Sequence, residues 1–130
     1  MKSNERRLAV VCRGEQVGIA YRHYDCIMEA TSEESETIDL SEYAEHEKLG
    51  RLWRLLTDGW FDPQVVIHEA PTSTDGPFAL GVRAIVMCWA NIYGRKVVES
   101  DVLHRLKAFY ECLHPERLAR ALVISTEAEA

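Results

Sequence analysis

Glu69 closes the stretch Val65–Pro71, which reads Val-Val-Ile-His-Glu-Ala-Pro, and it is the side chain best placed for chemistry. Three β-branched residues in a row suit a strand buried on both faces. Pro71 cannot extend the ladder, because it has no N–H to donate. A carboxylate at the carboxyl end of such a strand stands where α/β sheets tend to place their chemistry. The plain alternative is a solvated strand end. Cys12, late in the apolar run Arg7–Arg13, offers a thiol whose ordinary reading is a core residue. His68 precedes Glu69, so on an extended strand it faces the other way and reads as a core or interface histidine. His104 falls on a later helix, from which it can approach the strand ends. Arg13, Arg83 and Lys107 have the charge to touch phosphates, or else belong to solvated faces. Asp101 and Glu116 each sit at a helix start, where a carboxylate complements the helix dipole.

The elements that must position these groups follow from patterning. Arg7–Arg13 has the composition of a buried strand, Gly14-Glu15-Gln16 is a turn, and Val17–Arg22 is the return strand of a hairpin. Gly18 inside that strand marks a close approach or a bend. Thr31–Ser35 reads as a polar, acidic loop and Glu36–Leu40 as a short third strand, with Ser41 as the cap of the next helix. From Glu42 to about Thr57 the period turns helical, with Leu49, Leu52, Trp53 and Leu56 on one face, and Asp58-Gly59 closes it. Val65–His68 is the fourth strand. Phe78–Tyr93 is a helix apolar nearly all round, which must be buried on two sides: on the sheet, and on a second helix or another subunit. Lys96–Glu99 is a fifth strand, and Ser100-Asp101 opens a third helix running to about Cys112. Pro115-Glu116 starts a last helix to about Ile124, and Ser125–Ala130 reads as a frayed tail. Hairpin strands followed by strand–helix crossovers imply an α/β fold with a mixed sheet flanked by helices.

The totals narrow the function classes. A chain of 130 residues holds one domain with a real core and not two. No apolar run reaches the length of a membrane span and the N-terminus is not a signal peptide, so the chain reads as a soluble, cytoplasmic protein without a membrane partner. Cys12, Cys26, Cys88 and Cys112 lie in apolar stretches without C-x-x-C spacing, which favours reduced core thiols over disulfides or zinc. A net charge of −6 argues against non-specific nucleic-acid binding over the whole surface, but leaves room for a local basic patch.

In its order of parts the chain resembles the RNase H-like fold, and more closely the RuvC-type Holliday-junction resolvases and their small phage-borne relatives. Members of that family open with a strand ending in Asp-Pro-Gly, then three residues, then glycine, a bulky residue and a small one. Here Cys12-Arg13-Gly14-Glu15-Gln16-Val17-Gly18-Ile19-Ala20 keeps the spacing, and Gly14, Gly18 and Ala20 match. Glu69 matches the family's second acid at the end of a short hydrophobic strand. The loop and long apolar helix Asp75–Gly94, the strand Lys96–Glu99 and Lys107 match the parts that follow, and Ile38-Asp39-Leu40-Ser41 looks like the phage-type third strand. The resemblance spans roughly Leu8 to Leu122. It implies an RNase H-like sheet of five strands over residues 1–130, Mg²⁺ or Mn²⁺ as cofactor if the protein is active, branched DNA as partner and Arg13, Arg83 and Lys107 as DNA contacts.

The departures fall on the metal ligands. The family's first aspartate falls on Cys12, a poor substitute where Mg²⁺ requires hard oxygen ligands. Among the closing acids, Glu111 and Glu116 are the nearby carboxylates, and Glu116 is the one carried over beside Glu69. Glu69, Glu116 and Cys12 are thus the metal set that the resemblance implies, with Glu69 and Glu116 catalytic. A mixed Cys12/Glu69/His104 site for a softer metal is the variant. The expectation is a RuvC-like protein with weakened or lost catalysis, possessing a metal site or none. The alternative is a non-catalytic pseudoenzyme that binds a protein of a nucleic-acid-processing complex, as a homodimer or an inhibitor.

Overall fold

A computed structural model describes residues 5–59, 61–72, 75–105 and 114–129, the last four of these by backbone alone. In chain order the elements are β1 (Arg7–Arg13), β2 (Gln16–Asp25), β3 (Ala30–Asp39), α1 (Glu45–Asp58), β4 (Val65–Glu69), α2 (Pro77–Ile92), β5 (Lys96–Ser100), α3 (Val102–Arg105) and α4 (Pro115–Glu129). The five strands form one sheet in the order β3-β2-β1-β4-β5. The β1–β2 and β2–β3 pairs are antiparallel, while β1–β4 and β4–β5 are parallel. This is the mixed α/β sheet expected from the sequence.

Side-chain alternation along β1 divides the core in two. Leu8 and Val10 face Leu52 and Leu56 of α1 and Val82, Val86 and Trp89 of α2. Ala9 and Val11 face Leu103 of α3 and Leu118, Ala119, Leu122 and Val123 of α4. Both faces of β1 and β4 are therefore covered, which accounts for their unbroken apolar runs. α2 lies on the sheet with one flank against α1, where a Cβ on Gly81 would come 2.7 Å from Leu49 Cδ1. Its remaining stripe, Leu80, Ala84, Cys88 and Ile92, is exposed. Among the described residues, no helix is long and apolar enough to cross a membrane.

Three boundaries differ from the sequence expectation. Thr31–Ser35 is not a loop but part of β3, a ten-residue strand paired with β2 from Asp25↔Ala30 to Gln16↔Asp39. Its polarity is that of an edge strand with Glu34 and Glu36 turned to solvent. Ser41 does not cap α1: its N–H and hydroxyl both donate to Asp39 Oδ1, and the helix starts four residues later. Residues 125–129 are not a frayed tail, since α4 runs to Glu129 with the Ser125 hydroxyl donating to the Ala121 carbonyl. The expected third helix is present over Val102–Arg105; its continuation to about Cys112, with Lys107 and Glu111, lies outside the described residues. Two of the thiols are also less buried than expected. Cys26 is exposed at the β2–β3 tip and Cys88 on the outer stripe of α2.

Two glycines set the geometry near the strand ends. Gly14 takes φ +61° in the two-residue turn that joins β1 to β2, where a left-handed residue matches the twist of the strands. Gly18 lets the start of α4 touch β2: a Cβ there would lie 2.1 Å from the Pro115 carbonyl carbon. Gly18→Ala is expected to cost about 1–3 kcal/mol by forcing α4 off the sheet. Gly50→Ala, on an exposed helical position with nothing within 4 Å of the added Cβ, is expected to gain up to about 1 kcal/mol. Urea unfolding of the two variants checks both signs.

Candidate functional site

Parallel pairing carries the ends of β1 and β4 to one edge of the sheet. Val10 is the register partner of His68, so Cys12 and Arg13 extend past the β1–β4 ladder beside Glu69. Alternation then sends Arg13 and Glu69 to the α3 side, and Cys12 and His68 to the α2 side. The guanidinium of Arg13 grips the carboxylate of Glu69 with both arms, Nη1–Oε1 at 2.5 Å and Nη2–Oε2 at 2.9 Å. Nη1 also donates to the Cys12 carbonyl at 2.8 Å, which fixes the fork in place. His104 approaches from α3, its Nε2 3.7 Å from Glu69 Oε2. The hydrogen bond to Glu69 pushes the Arg13 pKa still higher, so the cation is permanent.

On the other side, Cys12 packs against the core, and its thiol contacts the Gly14 carbonyl at 3.5 Å. Burial pushes the Cys12 thiol up to about 11, over the opposing pull of Arg13, with Glu69 and Asp75 adding to the rise. Cys12 is therefore a neutral thiol at physiological pH. His68 is only 5% exposed. Its Nδ1 lies 2.9 Å from the Glu69 carbonyl oxygen. A carbonyl only accepts, so Nδ1 carries a proton, and in the neutral ring Nε2 is the acceptor.

These groups surround a cavity of about 670 Å³ between the strand ends, Ala70, Thr72, Asp75, Gly76 and the start of α2. Its walls are apolar, with Val10, Phe78, Val82, Val86 and Leu103. Polar groups from Cys12, Arg13, His68, Glu69, Asp75, Arg83 and His104 line the rest. Asp75 is tied down by Thr72, whose N–H and hydroxyl donate to its two oxygens at 3.0 and 2.8 Å. The Thr72 N–H bond holds Asp75 below the usual carboxylate range, helped by His104 and Arg83. Arg83 is ion-paired to Glu99 of β5.

The structure thus brings Cys12, Arg13, Glu69 and Arg83 to one cavity. Glu116 does not line it. It begins α4 above β2 and β3, with its N–H donating to Thr37 Oγ1 at 3.1 Å. Lys107 lies outside the described residues. A divalent hard cation does not fit the strand-end residues as arranged. Both oxygens of Glu69 are committed to a guanidinium, and the neighbouring donor, Cys12, is a sulfur where a hard cation takes oxygen. Among the described residues, no three His, Cys, Asp or Glu side chains converge as a metal-holding group.

No protein-family model matches the sequence, and no curated protein matches it. Solved structures do. A structure of Thermus thermophilus RuvC superposes with a TM-score of 0.56 at 16% identity, covering 73% of this chain and 63% of that one. T. thermophilus RuvC in complex with a Holliday junction substrate gives 0.59 at 14% identity, covering 75% and 64%. This chain therefore spans a little under two thirds of the RuvC chains it matches. At such identities the likeness is one of fold: the chain has the RNase H-like fold of RuvC.

The protonation of Cys12 is directly measurable. At pH 7.5 iodoacetamide is expected to label the exposed Cys26 and Cys88 well before Cys12. Labelling of Cys12 should rise steeply only as the pH approaches about 11, where its thiolate forms. Peptide mass mapping of timed reactions reads the three rates.

Proposed function

We propose that residues 1–130 form a single cytoplasmic RuvC-like domain that binds branched DNA at the strand-end cavity and whose hydrolytic activity is weakened or lost. The observation that carries this reading is the position of the cavity. It opens at the carboxyl ends of β1 and β4, on a fold shared with a RuvC solved with a Holliday junction substrate. Arg13 and Arg83 supply the phosphate contacts at its rim, and Lys107 is the third candidate. Both arginines are paired with carboxylates, so DNA phosphates must compete for them, and binding is modest and salt-sensitive. The loss of hydrolysis is supported by the Arg13–Glu69 grip and the neutral Cys12 thiol. Were activity retained, Mg²⁺ or Mn²⁺ would have to recruit Glu69 and Glu116 against that arrangement.

The domain acts as a homodimer in this reading. Leu80, Ala84, Cys88 and Ile92 recur every four residues on the exposed stripe of α2 and carry no charge. The small Ala84 and Cys88 side chains allow the same helix of a second copy to approach closely.

A second reading, a non-catalytic domain that binds a protein of a nucleic-acid-processing complex, is favoured by the β2–β3 tip. Ile27 is 88% exposed and Met28 72% exposed there. Asp25 Oδ1 accepts from both of their N–H groups and fixes the turn.

Fluorescence anisotropy with a labelled four-way junction, beside duplex of the same length and in Mg²⁺ or Mn²⁺, tests the main reading. Expected is preferential binding of the junction without cleavage, weakened roughly tenfold, about 1.4 kcal/mol, by Arg13→Ala. Metal-dependent cleavage abolished by Glu69→Gln would establish an active nuclease instead, and absence of junction binding would favour the protein partner. For the dimer, light scattering is expected to give twice the chain mass, and Ala84→Glu the monomer mass.

A further inference from the structure

The cavity holds two polar atoms that neither the ion pairs nor the phosphate contacts employ. His68, nineteen-twentieths buried, spends its Nδ1 proton on the Glu69 carbonyl, and among the described residues nothing hydrogen-bonds its Nε2. Arg83 Nε is buried without a hydrogen-bond partner, although another arm of the same guanidinium pairs with Glu99. One is an unused acceptor and the other an unused donor, and both residues line the same cavity. Leaving a buried donor such as Arg83 Nε unpaired carries a desolvation cost, and together with the unused His68 Nε2 in the same cavity it points to a ligand.

We propose that this cavity is a pocket for one unpaired nucleobase of the branched DNA, received between Val10, Val82 and Val86 and hydrogen-bonded along its edge by His68 Nε2 and Arg83 Nε. The inference rests on the branched-DNA reading and adds to it the part of the DNA that is recognised. The chemistry selects this ligand class. A base is a flat, mostly apolar body whose edge carries both donors and acceptors, matching aliphatic walls with one free acceptor and one free donor. A sugar would bring several hydroxyls against Val and Phe side chains without partners. A bare phosphate suits the rim, where it competes for Arg13 and Arg83, and not the apolar walls inside. A cavity of about 670 Å³ lies within the range of pockets that enclose small ligands and exceeds what one base requires. Gly14 and Gly76, both exposed, stand at its mouth and leave room for the attached backbone. At a branch point the base is already poorly stacked, so extracting it costs least there.

The test uses a four-way junction with 2-aminopurine at the branch point, saturated with protein as judged by anisotropy of a separate label. Wild type is expected to raise the 2-aminopurine fluorescence severalfold as the base leaves the stack. Ala79→Trp, which fills the cavity from a half-buried position on α2, is expected to leave the bound junction at the fluorescence of free DNA. His68→Phe keeps the ring volume without the acceptor and is expected to lose most of the rise, so the proposal does not hang on one variant folding. Equal rises in wild type and both variants would overturn the pocket while leaving junction binding intact. Failure of wild type to bind the junction would overturn the branched-DNA reading and the pocket with it. In a parallel arm, deoxyadenosine monophosphate is titrated with the protein alone. Saturable binding at micromolar concentration, with no fluorescence change on the junction, would assign the pocket to a free nucleotide and overturn the branch-point source.

Discussion

The parallel pairing of β1 with β4 is the constraint on which the rest depends. Antiparallel neighbours place the start of one strand beside the end of the other. Parallel neighbours bring both carboxyl ends to one edge, and here that edge carries Cys12, Arg13, His68 and Glu69 from segments over fifty residues apart in sequence. The pairing demands a crossover long enough to return the chain, which α1 supplies. It also demands cover on both faces, supplied by α1 and α2 on one side and by α3 and α4 on the other. Gly18 belongs to the same constraint, because α4 can seat on the sheet only where β2 offers no Cβ.

At that edge the charge is balanced internally. Glu69 is largely buried, and an isolated carboxylate there would be costly. Arg13 meets the cost with a two-pronged, permanently charged partner from the adjoining strand. A metal ion would serve the same electrostatic need, and the two are alternatives for one carboxylate. The neutral Cys12 adds no charge to draw a cation in. The result is a strand-end site of mixed polar and apolar lining in which Glu69 is paired beneath a half-exposed Arg13.

Much of the fold was legible because its signals are local. The buried runs of β1 and β4, the helical period of α1 and α2, and Gly14 and Gly18 each follow from short-range patterning. The misread pieces are those where context overrides composition. Thr31–Ser35 looks like a loop because its strand lies at the sheet edge, where serine, threonine and glutamate cost nothing. Ser41 looks like a helix cap, but Asp39 is two residues away and takes its donors first. Cys88 reads as core because α2 is apolar all round, while only the packing of α1 decides which stripe stays bare. At the site, Glu69 and Cys12 were identifiable by their place at strand ends. Their relation to Arg13 was not, since a salt bridge across a parallel pair has no fixed sequence spacing. Asp75 falls in the loop ahead of the long apolar helix, where composition gives it no role, and His68 reads as a core or interface histidine. Only the tautomer imposed by the Glu69 carbonyl shows that one of its nitrogens is free.

The most direct measurement is the electron paramagnetic resonance of Mn²⁺ titrated into the protein with an uncut four-way junction present, for wild type and for Arg13→Gln. With Glu69 committed to Arg13, wild type is expected to leave the free-ion signal at the level set by the junction alone. Arg13→Gln, which uncovers the carboxylate, is expected to remove additional free Mn²⁺. Stoichiometric uptake of Mn²⁺ by wild type, lost in Glu69→Gln, would contradict the claim that an arginine holds the carboxylate at these strand ends in place of a metal.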